Sequence, residues 1–81
     1  MDREAFMSAV ADALGVEAGS LYDSTELNDD NWDSLAHMAA VAAFDERFGV
    51  TVPGKELTGV RSVGELRSVV ERALAAQSSG A

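Results

Sequence analysis

The sequence predicts an all-α fold: a small bundle of three main helices and one short one, with a long first loop. Three observations carry this prediction. Apolar residues recur at helical spacing in three segments of the chain. Glycines stand where two of those segments end, and a capping motif opens the third. The length of 81 residues, with no cysteine, allows one modest core and no disulfide framework, so packed helices have to supply the stability.

The first helix is expected over residues 2–14. Phe6, Val10 and Leu14 recur four apart, with Ala5, Ala9 and Ala13 beside them. Asp2 and Glu4 suit its first turn and Gly15 its end. Residues 16–33 keep no period. They hold six carboxylates and scattered single apolar residues, of which Leu21 and Leu27 are expected to tuck into the bundle and pin the loop across it. Trp32 reads as a lid on the bundle end.

The second helix is expected over residues 34–48, with Asp33 as its N-cap and Gly49 just past its end. Leu35, Met38, Val41, Ala42 and Phe48 make a broad apolar face, and Ala36, Ala40 and Ala43 leave the other side smooth. A helix apolar on most sides is either buried or used as a contact surface. In so short a chain part of it is expected to be a docking face, carried by Leu35 and Met38.

Val50-Thr51-Val52-Pro53 is extended, because Pro53 disfavours helix at Val52. One helical turn carrying Leu57 is expected over residues 54–59, stopped by Gly59. Ser62-Val63-Gly64-Glu65 is a capping box that opens the last helix, whose buried stripe is Val63, Leu66, Val70 and Leu74. A single domain is expected over residues 1–76, with a frayed tail over 77–81.

Charge narrows the partners. The formal net charge is -8, and no Lys or Arg lies between Arg3 and Arg47. Nucleic acid and anionic membrane need clustered cations, so neither is expected as a partner, whereas basic protein surfaces fit. No segment is long and apolar enough for a membrane span, and the start of the chain lacks the cationic region of a signal peptide. A free-standing cytoplasmic monomer is the expectation.

The chemistry concentrates at Asp33-Ser34-Leu35. There a hydroxyl sits at the start of a helix, where unpaired N–H groups and the positive dipole end favour an attached phosphate. No general base is built beside Ser34, so it is a poor nucleophile unaided. His37 lies one turn on and invites a Ser–His reading, but the chain has no nucleophile elbow or triad signature, and His37 is expected at the surface. Asp29 to Asp33 invites a calcium reading. Aligned as a calcium loop from Asp29, it has Ser34 where glycine belongs and Ala40 where the bidentate Glu belongs, so no metal site is expected. Met38 and the apolar residues of the second and last helices read most simply as ordinary core, and the same residues suit a pocket for an apolar chain.

The chain resembles the acyl carrier proteins, the phosphopantetheine-bearing carriers of fatty-acid, polyketide and peptide synthesis, over nearly its whole length. Asp33-Ser34-Leu35 carries the resemblance, supported by Phe48-Gly49-Val50, Val52-Pro53, Leu57 and Ser62-Val63-Gly64-Glu65-Leu66. It implies that Ser34 is esterified with 4'-phosphopantetheine, taken from coenzyme A by a separate phosphopantetheinyl transferase. It implies that Asp33 and Leu35 help to present that serine. The thiol of the arm would then hold acyl or aminoacyl cargo as a thioester, loaded by a ligase or acyltransferase and delivered to synthase or transferase enzymes. The carrier itself would catalyse nothing.

Two departures shape the expected pathway. Fatty-acid carriers usually place acids two and five residues after the serine, where this chain has Ala36 and Ala39. Glycine often precedes the Asp, where this chain has Trp32. Acids return at Asp45 and Glu46, expected as a distal docking contact. The pattern leans toward specialised metabolism, of polyketide or peptide type. The alternative is an acidic helical interaction module without a prosthetic group.

Overall fold

Four α-helices form in the order expected. The computed structural model describes residues 1–79: α1 spans Arg3–Leu14, α2 Ser34–Phe48, α3 Gly54–Leu57 and α4 Val63–Ser79. Both long helices that end at glycine do so for a backbone reason. Gly15 and Gly49 take φ of +72° and +63°, a left-handed conformation costly for any residue with a Cβ.

One core cluster serves the whole chain. Phe6 and Val10 of α1 are fully buried, and the Phe6 ring stacks on Phe44 of α2 with centroids 5.9 Å apart. Phe48 extends the stack at 6.3 Å from Phe44. Val50 and Val52 of the extended segment, Leu57 of α3, and Val63, Leu66 and Val70 of α4 are also fully buried. Leu74 packs at the edge of the cluster, and Val69 joins the stripe expected for α4.

The apolar surface of α2 divides into a buried side and the exposed one expected for docking. Ala36, Ala40 and Phe44 face the core, while Leu35 and Met38 are 74% and 69% exposed. The physical reason is close approach. Small residues let helix axes come together, and Ala9 and Ala11 of α1 are buried alongside Ala36 and Ala40. A helix apolar on nearly every side gives the sequence no phase by which to choose.

The long first loop is ordered. Ala18–Ser20 makes a single 3₁₀ turn, and Leu21 and Leu27 are buried as expected. Backbone pairing then fixes the loop against the start of α4. Leu27 N–H donates to Arg61 O (2.9 Å), Val63 N–H to Thr25 O (3.0 Å) and Gly64 N–H to Asp23 O (2.9 Å). A Cβ at Gly64 would lie 3.2 Å from Asp23 O, so the close approach favours glycine there.

Asp23 joins three parts of the chain. It accepts hydrogen bonds from Arg3 of α1 and Arg67 of α4, each at 3.0 Å. The bond from Arg3 is the largest cause holding its carboxyl below the ordinary carboxylate range; desolvation opposes it, and the charges of Arg67 and Arg3 add to the lowering. Arg47 at the end of α2 bonds Asp12 and Ser8 of α1.

The capping box forms with one variation. Glu65 N–H donates to Ser62 Oγ (3.2 Å), while the Glu65 carboxylate accepts from Arg61 N–H (3.1 Å) and from the Ser62 hydroxyl (3.4 Å). At the other end α4 runs past the expected boundary at residue 76. Gln77 Nε2 donates to Gly49 O at 2.7 Å, giving the last turns a tertiary anchor. Of the expected frayed tail, residues 77–79 are helical, and Gly80 and Ala81 lie outside the described residues.

Candidate functional site

The start of α2 is built by the end of the loop. Asn28 and Asn31 close a side-chain-stabilised turn: Asn28 N–H donates to Asn31 Oδ1 (2.8 Å), Asp30 N–H to Asn28 Oδ1 (2.9 Å) and Asn31 Nδ2 to Glu26 O (3.0 Å). Trp32 N–H then donates to Asn28 O at 2.7 Å. The turn drives the Trp32 indole into the bundle end, where it is buried and its Nε1–H donates to Leu57 O of α3 at 2.9 Å. The lid reading of Trp32 holds. Two asparagines three apart are the sequence signal of the turn that positions it.

Asp33 is the N-cap, as expected. Its backbone is extended, its Oδ1 accepts from Ala36 N–H at 2.9 Å, and its carbonyl accepts from His37 N–H at 2.9 Å. Ser34 follows as the first helical residue, exposed, with no hydrogen bond to its hydroxyl among the described residues. This exposure suits a covalently attached phosphate ester, and the N–H groups of the first turn lie at the same end.

His37 departs from expectation. Its ring packs on Trp32 with centroids 4.7 Å apart, it is half-buried, and its Nε2 is buried with no hydrogen-bond partner. Its Nε2 makes no hydrogen bond to Ser34. Among the described residues no group of three or more His, Cys, Asp or Glu side chains is placed to hold a metal ion.

An open groove of about 410 Å³ runs along α2. His37, Met38, Val41 and Asp45 line it from α2, with Thr51 and Gly54 on the side of α3. Of the two helices from which an acyl pocket was expected, only α2 lines this groove. Asp45 borders it, and Glu46 is exposed beside Asp45. Leu35 and Met38 remain the exposed large apolar side chains of α2.

Residues 4–70 match the family model described as "Phosphopantetheine attachment site". The chain belongs to the phosphopantetheine-binding carrier family. Curated relatives agree. It is similar to the acyl carrier protein of Sinorhizobium fredii and to acyl carrier protein AcpP of Rhizobium meliloti, each 36% identical over 67 residues. Each match covers 82% of this chain and 86% of the relative. The chain is thus an acyl carrier with a phosphopantetheine attachment domain, and its prosthetic group is covalent 4'-phosphopantetheine. Among the described residues no helix is long and apolar enough to cross a membrane.

Proposed function

We propose that Ser34 is the attachment residue and that the chain carries acyl or aminoacyl cargo between partner enzymes, catalysing nothing itself. One observation supports this above the rest: Ser34 is the exposed, unbonded first residue of a 15-residue helix whose N-cap is already satisfied by Asp33. When attached, the group supplies a thiol on a flexible arm, and that thiol is the point at which cargo is held.

The chain's own part is presentation. Asp33 holds the first turn of α2 and so fixes where the Ser34 hydroxyl stands. Leu35 offers an apolar contact beside it, and Met38 a second one turn on. No base is hydrogen-bonded to the serine among the described residues, so the transferase supplies the group that removes the hydroxyl proton as the serine oxygen bonds the phosphopantetheine phosphorus and the pyrophosphate bond of coenzyme A breaks, releasing adenosine 3',5'-bisphosphate. Asp45 and Glu46 give loading and downstream enzymes an acidic contact at the far end of the helix.

The lean toward specialised metabolism rests on Ala39. Of the two positions where fatty-acid carriers usually have acids, Ala36 is buried here and only Ala39 is at the surface, uncharged. From Ser34 to Phe44 the helix has no carboxylate. A partner that docks near the serine therefore meets carbon where a basic patch would seek charge. Loading enzymes of polyketide or peptide pathways fit that surface better than enzymes that bind through cations.

The test is intact mass after incubation with coenzyme A, magnesium and a broad-specificity phosphopantetheinyl transferase, with Ser34→Ala alongside. The wild-type chain should gain one phosphopantetheine and the variant none, with unchanged circular dichroism. A folded wild-type chain that gains nothing from several transferases, or a variant that still gains mass, would remove Ser34 as the attachment residue.

A further inference from the structure

Trp32 is the chain's one tryptophan, and it stands two residues before Ser34. Three contacts fix it. Its backbone N–H donates to Asn28 O (2.7 Å), its indole Nε1–H donates to Leu57 O (2.9 Å), and the His37 ring packs on it with centroids 4.7 Å apart. Closing a bundle end needs only apolar area, which a leucine also supplies. The indole does more, because its N–H ties the loop to the end of α3, 25 residues away in sequence.

Trp32 thus touches α2 through His37, one turn from Ser34, and α3 through Leu57. It closes the seam between those two helices. α3 is a single turn, Gly54–Leu57, and so short an element is the easiest part of the wall for a guest chain to push aside. What holds its end is the fully buried Leu57 side chain and the Leu57 carbonyl, which accepts from Trp32 Nε1–H and from Val60 N–H. Moving α3 outward therefore breaks a buried hydrogen bond and uncovers the indole. Behind the seam the interior is already filled. Val52, Leu57, Val63, Leu66 and the stacked rings of Phe6 and Phe44 are all fully buried. The groove along α2 has no buried residue in its lining, so it lies on the surface of the bundle.

We propose that Trp32 is a specificity-determining residue: it keeps the seam between α2 and α3 closed in the loaded carrier, so that cargo stays outside the bundle. The inference rests on Ser34 being the attachment residue. A carrier closed in this way gives a long alkyl chain no apolar shelter, and its methylene groups stay in water. It gives the thioester no protection either. Short acyl and aminoacyl groups lose little by that exposure, and they remain open to the enzyme that takes them. They are the cargo class that this closure favours.

The test uses the full chain, loaded with phosphopantetheine from coenzyme A and then acylated at the arm thiol with acetyl or octanoyl groups. The chain has no cysteine to compete, and each product is checked by intact mass. In the wild-type chain the Trp32 emission maximum and the thermal midpoint should be the same with either cargo. The two thioesters should react with hydroxylamine in the same rate ratio as free octanoyl- and acetyl-pantetheine. Trp32→Ala opens the seam, and Trp32→Leu keeps apolar area there while removing the bond to Leu57 O; circular dichroism establishes which of them folds. In a folded variant octanoyl cargo should raise the thermal midpoint above that with acetyl, and its thioester should be cleaved several-fold more slowly than the free compounds predict. An octanoyl-loaded wild-type chain with a shifted emission maximum, a raised midpoint or a protected thioester would overturn the proposal while leaving Ser34 in place. Folded variants that shelter octanoyl no better than wild type would also overturn it, since the closure would then lie elsewhere. A folded chain that gains no mass from coenzyme A would remove the Ser34 reading and this one with it.

Discussion

Along α2, Ala36, Ala40 and Phe44 turn inward, whereas Leu35 and Met38, larger than either alanine, stand in solvent. The two faces are alike in hydrophobicity and differ in what lies opposite. Inward, α1 is close enough that alanine fills the gap, and one large ring, Phe44, completes the Phe6 stack. Outward, none of the described residues covers Leu35 or Met38. Apolar side chains kept bare beside the proposed attachment serine are what a transient partner needs, since they can be buried and released without unfolding the carrier. Side-chain size therefore does not report burial in this helix, and the distance to the neighbouring element does.

Substitutions can break that comparison or sharpen it. The largest stability effect should come from Phe44→Ala, which leaves a cavity beneath the Phe6 ring; a loss of about 3–5 kcal/mol in urea unfolding is expected. Trp32→Phe keeps the ring at the bundle end but removes the indole bond to Leu57 O, which keeps its bond from Val60 N–H (3.3 Å), and should cost about 0.5–1.5 kcal/mol by the same measurement. Leu35→Ala should move stability by no more than about 0.5 kcal/mol. Its effect belongs in kcat/KM with the phosphopantetheinyl transferase, expected to fall about fivefold or more, as for truncating an interface contact worth over ~1 kcal/mol. If Leu35→Ala instead unfolded the chain as readily as Phe44→Ala, the assignment of the two faces would be wrong.

The smallest effect lies away from α2, at Asp23. Its carboxyl titrates below the ordinary range, chiefly through the bond from Arg3, so its contribution is present above that range and lost as pH falls through the lowered folded-state value. Asp23→Asn should lower the thermal midpoint slightly at neutral pH. The difference from wild type should vanish on acidification through that window and shrink in high salt. A difference that persisted in acid would mean that packing of the loop, and not charge, is what Asp23 supplies.

Much of the bundle was legible because its signals are local. Gly15 and Gly49 end helices through their own backbone freedom, Asp33 caps α2 across three residues, and Ser62 with Glu65 opens α4 in the same way. Leu21, Leu27 and Trp32 could be assigned to the interior because isolated apolar residues in a polar loop have few other uses. The Asp33-Ser34-Leu35 motif stood out for the same reason, since it occupies consecutive residues at a helix start. The Asn28–Asn31 turn was equally local and was missed, although two asparagines three apart are a turn signal.

Other features needed the tertiary structure. Which side of α2 is buried depends on how closely α1 approaches, and an almost wholly apolar helix encodes no preference. The half-burial of His37 depends on the Trp32 ring, which the loop delivers from outside the helix. The Arg3–Asp23–Arg67 tie, the groove against the segment entering α3, and the extension of α4 anchored by Gln77 all join residues far apart in the chain. By itself the sequence determined where α1 and α2 stop, where α2 and α4 start, and which serine stands at the start of α2, because capping and backbone preference act over three or four residues. Only the folded chain decided which apolar side chains are core and which are left for partners, because burial belongs to pairs of elements and is not a property of a residue alone.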